Sequence, residues 1–131
     1  MLEIRDEQEL ARVLRSELNP DAKQLLQKRW SQVTKDLSPT EIADVVKFVI
    51  VEPGETATDL EQAIGFSVFA GGDDGFSPEW AECHEGVAVE LCWVWSDDGG
   101  GAIAIVPFAK GMDADLLNAC RALAALAPAQ A

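Results

Sequence analysis

Trp80-Ala81-Glu82-Cys83-His84-Glu85 holds the only histidine of the chain beside a thiol and two carboxylates. Such residues could ligate a metal or form a Cys-His nucleophile, but their spacing opposes both. Metal ligands come in pairs spaced to converge, as in C-x-x-C or H-x-x-x-H, whereas Cys83 and His84 are adjacent and point apart in an extended segment. A Cys-His nucleophile needs hydrogen-bond geometry that neighbours in sequence seldom reach. The alternative is a loop packed on its Trp and Cys, so no metal and no cofactor are assigned.

Glu90 is the second candidate. It stands alone among Ala88, Cys92, Val94 and the small residues Ala102 and Ala104. On a covered sheet face it would be a desolvated carboxylate suited to acid or base work, and on an open face a solvated charge. The sequence supplies no partners in named roles, so the open face is expected, and no catalytic residue is assigned. Glu90, Cys92 and His84 form the ligand set of the alternative reading, a small enzyme or ligand-binding domain. Asp73-Asp74 and Asp97-Asp98 offer hard oxygen ligands, but neither pair follows the alternating acids and closing Glu of an EF-hand loop, and tight Asp-Gly turns explain both. The glycine runs match neither phosphate-loop pattern.

The charge pattern carries the leading expectation. The formal net charge is −13, yet the segment 1–37 is neutral, with seven basic and seven acidic residues. Between Lys47 and Lys110 there are twelve acids and no base. Such a field repels phosphate backbones and anionic lipid, so nucleic acid and membrane surfaces are excluded as partners. It attracts a basic protein. The expected function is an acidic module of the inhibitor, antitoxin or immunity type, binding through Asp73, Asp74, Glu79, Trp80, Glu82, Glu85, Asp97 and Asp98. A homodimer without chemistry is the third reading.

These groups must be held by ordinary elements. The chain has 131 residues, a hydrophobic share of 48% and no internal repeat or linker, which fits one domain, 1–131, with a real core. No apolar run reaches a membrane span, the charged N-terminus lacks the apolar centre of a signal peptide, and three scattered cysteines suit a reducing compartment, so the expected location is cytoplasmic.

The firmest element is the hairpin of Gly86 to Phe108. Its first arm sends Val87, Val89, Leu91, Trp93 and Trp95 to one side, and the turn Asp97 to Gly101 reverses it. Asp6 with Glu9 starts a first helix, Asn19-Pro20 a second, and Ser38-Pro39-Thr40-Glu41 a third through Ile50; its β-branched last part could also form a strand, but the capping box and the i, i+3, i+4 spacing favour a helix ending near Glu52-Pro53-Gly54. Thr58 to Gln62 reads as one helical turn, Ile64 to Phe69 as a strand, and Gly71 to Glu85 as a long loop. Asp113 caps a closing helix. The expected fold is α+β: three N-terminal helices, a three-stranded antiparallel meander at about 63–70, 86–96 and 102–108, and a C-terminal helix on one sheet face. The Trp93/Trp95 face is expected under helices and the Glu90/Cys92 face more open.

Overall fold

A computed structural model describes residues 1–35, 46–65, 80–84, 86–95 and 100–126. The elements in chain order are β1 (Leu2–Glu3), α1 (Glu7–Leu14), α2 (Pro20–Thr34), β2 (Val46–Ile50), α3 (Ala57–Ile64), β3 (Trp80–His84), β4 (Ala88–Trp95), β5 (Gly100–Pro107) and α4 (Ala114–Leu126). The fold is α+β, with four helices among the described residues and a mixed five-stranded sheet ordered β1-β2-β5-β4-β3.

Local chemistry sets the helix starts. The Asp6 side chain accepts from the Glu9 amide at 2.8 Å, and Asn19 accepts from the Asp21 amide at 2.8 Å just before Pro20. Asp113 does the same for the Leu116 amide at 2.9 Å. Each satisfies an amide that the first helical turn leaves without a backbone acceptor. The helix after Thr56 is longer than one turn. Thr56 and Asp59 form a reciprocal capping box at its start, and Gly65 in the left-handed region, φ 89°, ends it.

Three expectations are corrected here. The segment Val46–Ile50, read as the end of a third N-terminal helix, is a strand that pairs in parallel with β5, Phe48 opposite Ile103 and Ile50 opposite Ile105. Past the exposed Lys47, Phe48 to Val51 are buried on both faces and read as a continuous apolar run, and their β-branched residues fit a pleated surface better than a helix. The Ser38 capping signal itself lies outside the described residues. The first arm of the antiparallel meander is not 63–70, since α3 extends to Ile64 and Gly65 caps it. That arm is Trp80–His84, part of the expected loop, which pairs with β4 while β4 pairs with β5. The remainder of the expected strand, 66–69, is outside the described residues.

The third correction concerns the sheet faces. Period-two alternation divides the core into two layers. On one side Val49, Val89, Leu91, Trp93, Ala102, Ala104 and Val106 pack with Leu60 and Ile64 of α3 and Leu116 and Cys120 of α4. On the other, Phe48, Ile50, Ala88, Ile103 and Ile105 pack with Leu10 and Val13 of α1 and Leu25, Leu26 and Trp30 of α2. The Trp30 ring meets Phe48 edge-on, with centroids 5.7 Å apart. The face that carries Glu90 is therefore not open. Helices α1 and α2 cover it, each burying its apolar stripe against that face.

Candidate functional site

The β3–β4 register places Glu82 directly opposite Glu90, with His84 opposite Ala88 two pairs further along. With period-two alternation, Glu82, His84, Glu90 and Cys92 share the face under α2, while Cys83 faces the α4 side. Glu90 is the one charged residue buried among those described.

Its counter-ion comes from α2. Leu25, Leu26 and Trp30 turn that helix toward the sheet, and Arg29 stands three residues after Leu26 and one before Trp30. At helical spacing its side chain emerges at the margin of the packed stripe. Arg29 Nε donates to Glu90 Oε2, Nη2 donates to Oε1 at 3.1 Å, and Nη1 donates to Gln32 Oε1. Two donors of one guanidinium on two oxygens of one carboxylate is the geometry for which arginine is suited and lysine is not. On the third side His84 Nε2 lies 3.2 Å from Glu90 Oε1 and 3.7 Å from Glu82 Oε2. An ionised carboxylate accepts only, so a neutral His84 meets Glu90 through an Nε2–H. The contact to Glu82 exceeds hydrogen-bond length and is an ion pair only when the ring is charged.

Exposure rises along this row. Glu90 is fully buried, the His84 side chain is 25% exposed, and that of Glu82 is 51% exposed. The row thus leads from the sheet interior to solvent at the outer strand β3. A buried ion pair contributes little net stability when formed, but removal of one partner strands the other charge and costs about 3–5 kcal/mol. The direct consequence of Arg29–Glu90 is that α2 is fixed in position over β4.

The other sequence candidates separate. Cys92 follows Glu90 on the same face and is half-buried against the Trp30–Ile103 layer. Cys83 is exposed and lines a cavity of about 440 Å³ with Phe108 and Arg121, whose guanidinium stands 4.7 Å over the Phe108 ring. Trp80 opens β3, opposite Cys92. Asp73, Asp74, Glu79, Glu85, Asp97 and Asp98 lie outside the described residues. A second cavity of about 510 Å³ lies where the parallel strands end, between Ser16–Asn19 on one side and Pro53, Lys110 and Met112 on the other.

Sequence reasoning missed Arg29. The signal was present. A carboxylate at a core position of a strand requires a buried donor, and Arg29 is the basic residue of that helix flanked on both sides by its apolar stripe. Glu82 was grouped with the loop acids because β3 was not foreseen, so its register with Glu90 could not be drawn.

Comparison of the chain with protein-family models, with curated proteins and with solved structures gives no match. No helix among the described residues is long and apolar enough to cross a membrane.

Proposed function

We propose that the chain is an acidic protein-binding module of the inhibitor, antitoxin or immunity type that engages a basic protein partner in the cytoplasm. The observation that carries this reading is the charge distribution: twelve acids and no base between Lys47 and Lys110. One of the twelve, Glu90, is neutralised inside the molecule by Arg29, so the reading rests on the other eleven. The mechanism is electrostatic steering of a basic surface, which raises the association rate and falls with ionic strength, followed by burial of a few anchors with Trp80 among them.

Immobilised protein challenged with cell lysate tests this. Basic proteins should be retained at about 50 mM salt, where charges interact over more than 10 Å, and released as salt rises. A variant carrying Glu79→Gln, Glu82→Gln and Glu85→Gln should retain them less. No retention at low salt, or retention indifferent to the three substitutions, removes the reading.

A second reading, a ligand-binding or enzymatic site around Glu90, is favoured by one observation, the convergence of Arg29, His84 and Glu82 on that carboxylate. With α1 and α2 over the sheet face, access to it runs from the β3 edge.

A further inference from the structure

We propose that Glu82, His84 and Glu90 form a binding site for a divalent transition-metal cation of the zinc type, opening at the β3 edge of the sheet. One ligand atom from each of the three residues lies within 4.8 Å of the others. Donors held about 2.1 Å from a tetrahedral zinc stand about 3.4 Å from one another. His84 Nε2 is 3.2 Å from Glu90 Oε1 and 3.7 Å from Glu82 Oε2, so two of the three separations bracket that value without any rearrangement of the strands.

The ligand types narrow the ion. One imidazole with two carboxylates suits zinc and its first-row neighbours, whereas calcium and magnesium prefer oxygen alone. Backbone pairing supplies the preorganisation, since Glu82 and Glu90 are register partners in the antiparallel β3–β4 ladder. Glu90 is held from behind by the Arg29 fork, the outer-shell carboxylate support that fixes a ligand's orientation in metal sites. A cation would draw Oε1 away from Nη2 and leave the Nε–Oε2 hydrogen bond in place. With a neutral imidazole, the two carboxylates and the guanidinium sum to one negative charge, so the site attracts a dication. Exposure falls from Glu82 to Glu90, which gives the ion an entry route and leaves its remaining coordination to water or a ligand. The site does not depend on the acidic-module reading, and either can stand without the other.

The test is isothermal titration of the full-length reduced protein with zinc chloride, and in parallel with magnesium chloride. One equivalent of zinc should bind and magnesium should not. Glu82→Gln, at a half-exposed position where folding is not at stake, should weaken zinc at least about tenfold, and His84→Ala should do likewise. Cobalt(II) in place of zinc should show ligand-field bands without a sulfur charge-transfer band, since no thiol takes part. Absence of zinc binding, binding unchanged in Glu82→Gln, or a thiolate band that moves the site to Cys83 or Cys92 would each overturn the proposal.

Discussion

Cys120 lies wholly inside the layer between α4 and the sheet, and burial pushes its thiol up to about 12. In the unfolded chain the same thiol ionises near its ordinary value of 9.0. Between those values the unfolded state has lost a proton that the native state keeps, so stability is intact below pH 9 and falls as pH rises above it, by up to about 1.4 kcal/mol per pH unit. Urea unfolding at pH 8 and pH 10 measures this, and Cys120→Ala should flatten the dependence. The three thiols should also separate by reagent access. Cys83 should react with a thiol reagent in the native protein, half-buried Cys92 more slowly, and Cys120 only on unfolding. Three equal rates in the native protein would contradict the assigned burial.

At the scale of elements, α3 depends on its ends. Its eight residues bury only Leu60 and Ile64, so the caps carry an unusual share of its stability. Thr56→Ala removes one half of the capping box and should cost about 1 kcal/mol in denaturant unfolding. Gly65→Ala places a side chain in the left-handed region and should cost a similar amount, through backbone strain, since nothing stands within 4 Å of the added methyl. No loss from either substitution would show that α3 is held by packing alone.

The same elements show what was legible in the chain. Helices α1, α2 and α4 announce themselves by Asp6, Asn19-Pro20 and Asp113, and the β4–β5 hairpin by the alternation of its first arm; both signals are local. Strand β2 has no such signature, because pairing with β5 and burial on both faces are decided by residues more than fifty positions away. Strand β3 is five residues with a carboxylate, a thiol and an imidazole, and only its register with β4 makes it a strand. The candidate site was legible as residues but not as a site. Glu90 and His84 stood out by type, whereas Arg29, sixty-one positions from Glu90, could be joined to it only by knowing that α2 lies on that face.

For the whole molecule, a net charge of −13 implies self-repulsion in the folded state. Raising sodium chloride from about 0.01 M to 0.15 M shortens the screening length from about 30 Å to 8 Å, so the melting temperature should rise. A fall would mean that favourable surface pairs outweigh the repulsion. The architecture itself, a sheet with α1 and α2 on one face and α3 and α4 on the other, turns on whether the Glu90 face is closed. Urea unfolding of Arg29→Met, Glu90→Leu and the double variant reads that closure directly. A buried pair predicts that Arg29→Met, which strands the Glu90 charge, costs about 3–5 kcal/mol and that the double variant recovers most of the loss, with a coupling above about 2 kcal/mol. Two small, additive effects would place Glu90 in solvent, and contradict both the closed face and the site built on it.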